Sequence, residues 1–425
     1  MTRETKKTNI PWIGEIPSDW STCRVKDIFS IEKEKANQKN PIILSLARDA
    51  IKERDISTNE GQFAASYEEY NPVIPGDLLL NPMDLYSGAN CNVSEVSGVI
   101  SPAYSKLRKK VDLNPFFFDY FFKVQYWTMA MFAHGKGVSF DNRWTLNNDT
   151  LKAYECPFPS VEEQNKIVVA IRQKEIKINA LIANEEKQIE KLKAYKKSLI
   201  SEVVTKGLDP NVPMVDSGIE WIGRIPKGWG VIRLKELFNI YSGSTPKSNE
   251  ALFYDGDIVW VTPADYKTED VFIFDSKRKI TGAGLKSCNL TIVENGSLVI
   301  SKRAPIGTVA IAGTNLCTNQ GCLSCTPKNK LVNTKFYYYV LSVVGRELDI
   351  LGSGTTFKEI SYTNFGIFSV PYPNYKTQNL ICTYLDSISG NITNLIEKHT
   401  LKISLLQKYR QSMIYEYVTG KKEAK

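Results

Sequence analysis

The sequence predicts a mixed α/β chain, with two strand-rich globular domains separated by two long antiparallel coiled-coil helices and an internal pseudo-twofold repeat. Three observations predict it: a block of residues that recurs about 210 positions later, two extended stretches with an apolar stripe at helical spacing, and short apolar runs broken by turn residues. The expected boundaries are 1–160 for the first globular domain and 161–207 for the first helix. The second domain then spans 208–373 and the second helix 374–425.

The repeat comes first. WIGEIPSDWSTCRVKDIF at 12–29 stands against WIGRIPKGWGVIRLKELF at 221–238, pairing Trp12 with Trp221, Gly14 with Gly223, Pro17 with Pro226 and Trp20 with Trp229. A second frame closes each half: Pro157 and Pro159 match Pro371 and Pro373, Gln164 matches Gln378, and Leu181, Tyr195 and Thr205 match Leu395, Tyr409 and Thr419. Between these frames the halves diverge. Only echoes remain, such as the aromatic clusters FFFDYF at 116–121 and FYYYV at 336–340. A shared frame with unlike middles suggests one fold set to two different targets, against the alternative of a duplication with no divided labour.

After each Pro-x-Pro stop the pattern turns helical. Ile167, Ile171, Ile178, Leu181, Ile182, Ile189, Leu192, Tyr195 and Leu199 recur at steps of three, four and seven, as do Ile388, Ile392, Leu395, Ile396, Ile403, Leu406, Tyr409 and Met413. A single helix of roughly 40 residues with one apolar stripe must bury it against another helix, and its own duplicate is the obvious partner. The charged opposite face reads as solvated, or as a surface for a partner protein.

The globular parts read as strands and turns: PIILSLA at 41–47, GDIVWVT at 256–262, SLVISKR at 297–303 and GTVAIAG at 307–313. Short helices are expected after Asn114-Pro115 and around Thr334 to Leu348. With 54 Lys+Arg against 46 Asp+Glu the chain is mildly basic, which suits a polyanionic partner. The eight scattered cysteines read as reduced thiols. The basic N-terminus has no apolar stretch behind it, and no run reaches the ~20 residues of a membrane span, so no membrane association and a cytoplasmic location are expected.

At this point the residues carry a likeness. SGSTPKSNEALFYDGDIVWVTPADY at 242–266, ISKRAPIGTVAI at 300–311, TNQG at 318–321 and GTTFKEIS at 354–361 resemble the specificity subunit of type I restriction–modification enzymes. So do IGEIPSDW at 13–20 and PFPSVEEQNKIVVAI at 157–171. In the first half, KEKANQKNP at 33–41 replaces the family's small-residue turn. The resemblance implies two target-recognition domains, each reading one half of a split, asymmetric double-stranded DNA site, with the helices setting the gap. It also implies two methyltransferase subunits and motor–nuclease subunits as partners. S-adenosylmethionine is then expected on the methyltransferase subunits, and no cofactor, metal or catalytic residue on this chain. The alternatives are a coiled-coil interaction scaffold without specific DNA binding and a free-standing nuclease or methyltransferase.

Base reading needs Arg, Lys, Asn or Gln on exposed loops, with further cations on phosphates. The candidates in the first half are Asn81, Tyr86, Asn90, Asn92, Lys136, Asn142 and Arg143. Those in the second are Thr245, Lys247, Lys267, Lys302, Arg303, Thr356 and Lys358. Other motifs read as structure. Asn114-Pro115-Phe116-Phe117 lacks the second Pro of an adenine-binding methyltransferase motif and reads as a helix start. Gly282-Ala283-Gly284 and Gly352-Ser353-Gly354 read as turns, not phosphate loops. Cys288, Cys317, Cys322 and Cys325 contain a single CxxC and lie in a strand-like segment, against a zinc site. With only His134 and His399, a His-based catalytic centre is poorly supplied.

Overall fold

The computed structural model describes all residues except 1–2, 11, 32, 39–40, 56–65, 87–89, 138–143, 268–269, 354–357 and 425. The chain divides into two compact units, one of Met1–Glu186 with Thr400–Lys425 and the other of Lys187–His399. The long helices run from Val161 to Lys206 and from Tyr375 to Val418, so each unit contains part of both.

In the first unit a four-stranded antiparallel sheet places Ser105–Lys109 between Phe29–Ser30 and Leu78–Leu80, with Cys91–Val93 at the far edge. The aromatic run becomes the helix Pro115–Trp127. Asn114 accepts from the backbone N–H of Phe116 and Pro115 occupies the first turn, so the Asn-Pro pair is a helix start. Phe117, Phe118, Phe121 and Phe122 are fully buried against Trp20 and Phe29. Trp12 stacks on Tyr154 at 5.4 Å. Ser21–Arg24 pairs antiparallel with Glu155–Phe158, immediately before the first long helix.

The second unit has a five-stranded sheet in the order Phe238–Ser242, Cys322–Pro327, Leu298–Ser301, Val309–Ala312, Phe272–Ile273, whose last pair is parallel. A three-stranded sheet centres on Tyr254–Val261. Its aromatic run forms the helix Thr334–Val343, followed by a separate helix, Gly345–Ile350. Trp221 stacks on Phe368 at 5.6 Å, and Gly230–Arg233 pairs with Ser369–Tyr372 before the second long helix.

The matched glutamines fix how each long helix begins. Gln164 is fully buried; its Oε1 accepts from Asn114 N at 2.8 Å and its Nε2 donates to Pro159 O at 2.9 Å. Gln378 makes the same two bonds, from Asn333 N at 2.8 Å and to Pro373 O at 2.9 Å. One amide thereby ties the first turn of the long helix to the cap of the aromatic helix.

Within the first unit the helix segments pair antiparallel. Glu185 accepts from Lys402 Nζ at 2.6 Å, and Arg410 donates to Asn179 at 3.0 Å. Ile167, Ile171 and Ile178 are buried in one cluster with Met413, Ile414, Tyr417 and Val418. In the second unit Lys196 donates to Thr393 at 3.1 Å, and Ile200, Val203 and Val204 share a core with Ile381, Cys382 and Leu385.

Two expectations change here. Leu181, Tyr195, Leu395 and Tyr409, read as part of the buried stripe, are exposed by 48%, 56%, 43% and 54%. The inward row keeps the expected Ile182, Ile189 and Leu192 and is completed by buried Glu185 and half-buried Lys196, whose polarity hid their place in it. Gly282-Ala283-Gly284 is not a turn but opens the short helix Gly282–Ser287, capped by the Thr281 side chain. A Cβ at Gly284 would collide with the Phe253 carbonyl.

Candidate nucleic-acid interface

In the second unit, loops from distant parts of the sequence meet beside the five-stranded sheet. The chain leaves strand Phe238–Ser242 at Gly243, where a Cβ would collide with the carbonyls of Thr318 and Asn319. Gly243 N donates to Cys322 O and Ser244 N to Thr318 O, both at 3.1 Å, so this loop is held on the TNQG turn. Thr245 Oγ1 donates to the Gln320 amide oxygen. Trp260 Nε1 donates to Ser244 O at 3.1 Å, and Tyr254 OH to Pro246 O at 2.6 Å. Lys247 follows on this braced segment, exposed.

The network continues to the remaining cations. Lys302 N donates to Gly321 O at 2.7 Å and Ile360 N to Lys302 O at 3.0 Å. Glu359 faces both basic side chains, with Arg303 Nε at 3.1 Å and Lys302 Nζ at 3.9 Å. Lys358 pairs with Asp349 at 2.7 Å. Thr245, Lys302, Arg303 and Lys358 thus lie on hydrogen-bonded neighbouring segments. Lys267 is exposed after the turn Pro263–Asp265, beside Asp270 at 3.7 Å. Thr356 lies outside the described residues.

The first unit arranges its candidates differently. Tyr86 is exposed, its ring 6.2 Å from Phe132, which stacks at 5.4 Å on Trp144. Trp144 Nε1 donates to Phe132 O at 2.8 Å, and a Cβ at Gly135 would come within 2.6 Å of the indole. Lys136 exchanges backbone hydrogen bonds with Thr145 and is exposed, so a cation and an aromatic group share one surface.

Asn81 and Asn92, expected on exposed loops, are instead buried and held within the fold. Asn81 Oδ1 accepts from Met83 N at 2.9 Å. Asn92 donates to Ala47 O at 2.8 Å and accepts from Lys123 Nζ at 3.0 Å. Asn90 is half-buried, and its Oδ1 is among the described buried side-chain oxygens without a partner. Asn142 and Arg143 lie outside the described residues.

Two strand cations of this unit are neutralised internally. Buried Lys106 donates to Glu34 at 2.7 Å, and that bond, with the ammonium's charge, holds the Glu34 carboxyl below its usual range. Arg108 forms a two-pronged pair with Asp77 at 2.8 and 2.7 Å.

Asn319 and Gln320 were missed as candidates. The exposed Gln320 amide beside Thr245 is of the type that reads adenine, and its signal was the TNQG motif itself. Cys317, Cys322 and Cys325 are buried in strands of the two sheets. Among the described residues no helix is long and apolar enough to cross a membrane.

Residues 226–405 match the family model described as type I restriction modification DNA specificity domain. The MjaIX specificity subunit of Methanocaldococcus jannaschii is 34% identical over 43% of this chain and 44% of its own length, so the match spans about half of that relative. The putative MjaX specificity subunit of the same organism is 26% identical over 98% of this chain and 96% of its own. A chain from a solved structure concerned with complex assembly and conformational transition of the type I R-M system shares the fold. It has a TM-score of 0.70 at 17% identity, covering 95% of this chain and 98% of that one. Over nearly its whole length this chain is thus similar to specificity subunits of type I restriction–modification enzymes, and residues 226–405 carry the match to their DNA specificity domain.

Proposed function

We propose that this chain reads a two-part, asymmetric double-stranded DNA target, the loops of the first unit reading one half and those of the second unit the other. It positions two methyltransferase subunits, which carry the S-adenosylmethionine, and through them motor–nuclease subunits. The two helices act as an antiparallel coiled-coil spacer within a pseudo-twofold repeat. The observation that carries this reading is a repeated frame beneath unlike surfaces. The Gln164 and Gln378 ties are the same, while one unit presents Tyr86 and Lys136 and the other Thr245, Gln320, Lys302 and Arg303.

A second observation supports paired partners. Four large, exposed helix residues shared by both halves fall at one level of each helix pair, Leu181 with Tyr409 in the first unit and Tyr195 with Leu395 in the second. The same two residue types repeated at two levels suit two copies of one protein.

The test is selection of random duplexes by this chain with its methyltransferase subunits. A split sequence with a fixed gap is expected; recovery without sequence preference, as a pure scaffold would give, refutes the reading. The spacer role is tested by inserting four residues between Glu186 and Lys187 and four between His399 and Thr400. Gly207 packs on Trp229, which makes the end of the first long helix an unsuitable place for the insertion. Four residues add about 6 Å at 1.5 Å each, and the preferred gap should lengthen by about two base pairs. An unchanged gap rules the spacer out.

A further inference from the structure

Cys23 and Cys156 face each other across the strand pair that closes the first unit. They are register partners in the antiparallel ladder, and their sulfurs lie 3.6 Å apart. Directly opposed residues have Cα atoms about 4.5–5.5 Å apart, within the roughly 4.4–6.8 Å that a disulfide spans. Both thiols are free. At the corresponding place in the second unit the ladder pairs Ile232 with Val370, so this fold does not need sulfur there to pack. The two cysteines also differ in access. Cys156 is fully buried, whereas Cys23 is only partly buried at the margin of the same core, so it is the more accessible of the two.

We propose that Cys23 and Cys156 are an oxidation site, closed to a cross-strand disulfide by a small-molecule disulfide such as oxidised glutathione. The accessible Cys23 reacts first. Its thiolate attacks one sulfur of the small disulfide, whose S–S bond breaks and releases one thiolate. The Cys156 thiol then loses its proton and attacks the Cys23 sulfur of the mixed disulfide, displacing the second small thiolate. Two protein thiols are oxidised to one disulfide, the small disulfide is reduced to two thiols, and the protons go to the released thiolates. The hydrogen bond with Cys23, together with burial, pushes the Cys156 thiol up, which fits it for the second step and not the first.

The bond would join residue 23 to residue 156, enclosing the sheet and aromatic helix of the first unit and leaving the second untouched. The linkage therefore makes oxidation of this chain an event of one unit.

The test uses the full reduced chain, incubated with oxidised glutathione near pH 8, alkylated under denaturing conditions and mapped by mass spectrometry. The expected result is a linked peptide pair carrying Cys23 and Cys156, with free thiols falling from eight to six. Cys23→Ser, at the less buried position, should keep all seven remaining thiols while melting like the reduced parent. Cys156→Ser should stop at glutathione on Cys23. Oxidation should also raise the protection of residues 21–24 and 155–158 against hydrogen exchange without altering 230–233 and 369–372. Glutathione remaining on Cys23 in the parent chain, links scattered among other cysteines, or no loss of thiols would overturn the proposal.

Discussion

Replacing Gln164 with Met removes the amide that joins the first long helix to the aromatic helix while keeping nearly the same volume. Two groups lose their partner in a buried place, the N–H of Asn114 and the carbonyl of Pro159. Leaving a buried polar group unpaired costs roughly 1–3 kcal/mol, so the pair together costs about 4 kcal/mol. For a unit of this size, melting shifts by roughly 2–4 °C per kcal/mol, a fall on the order of 10 °C. The second unit keeps its own tie through Gln378 and should be unaffected. Thermal unfolding followed by hydrogen exchange on peptides spanning 113–127 and 332–343 separates the two. Gln378→Met should give the mirror result, and a somewhat larger one, because Gln378 Nε2 also lies 3.4 Å from Leu331 O. Loss of protection in both units from either single change, or a melting shift under about 2 °C, refutes the idea that each amide secures its own unit.

Exchanging residues 30–155 for the same region of a relative should change one half of the selected DNA sequence, and a change in both halves counts against independent readers. Leu181→Asp with Tyr409→Asp should reduce the methyltransferase subunits bound per chain from two to one by native mass spectrometry, as should Tyr195→Asp with Leu395→Asp; unchanged stoichiometry removes these patches as docking sites. Glu359 neutralises Lys302 and Arg303 in the free chain, so Glu359→Gln should tighten DNA binding, while Arg303→Ala should lower the salt slope by about 1. A fall in affinity for Glu359→Gln would mean the carboxylate positions the cations and does not compete for them. Lys402→Met should destabilise the first unit, since it removes one cation that neutralises buried Glu185, and Glu185→Leu added to it should restore most of the loss; failure of the second change to restore it would place the cost elsewhere.

Much of the architecture was legible because it follows from periodicity. SLVISKR and GTVAIAG fall on the strands Leu298–Ser301 and Val309–Ala312, and the Pro-x-Pro stops precede helices beginning at Val161 and Tyr375. The aromatic clusters read as faint echoes are the core helices of both units. What escaped lies below the resolution of a period. Strands of two or three residues, such as Phe272–Ile273, leave no pattern, and in the first long helix Leu181 and Tyr195 were read into the buried row while its polar members Glu185 and Lys196 were not. At the candidate surface, local spacing showed which loops are exposed but not which of them meet. The segments of Thr245, Lys302 and Arg303 meet on the TNQG turn through hydrogen bonds that no local spacing reveals. Asn81 and Asn92 looked like loop asparagines but satisfy buried backbone and ammonium groups.

The internal repeat separates two kinds of likeness that a single-copy protein would confound. Identity at an inward position needs no further reason than packing, and here it is often absent: Cys23 and Cys156 stand where Ile232 and Val370 stand, because these positions ask for apolar character more than for a particular residue. Tyr120 donates to Glu175, whereas Tyr339 donates to Asp386, three residues nearer its helix start when each is counted from the shared glutamine. The interior thus accepts two solutions to one problem. Leu181, Leu395, Tyr195 and Tyr409 do the opposite, holding the same identity where no neighbour's volume requires it. Large apolar side chains held in common at exposed positions point to something outside the chain that makes the same contact twice. The loops above the sheets reverse that logic again, differing in residue type and in framework, as expected of surfaces facing two different sequences.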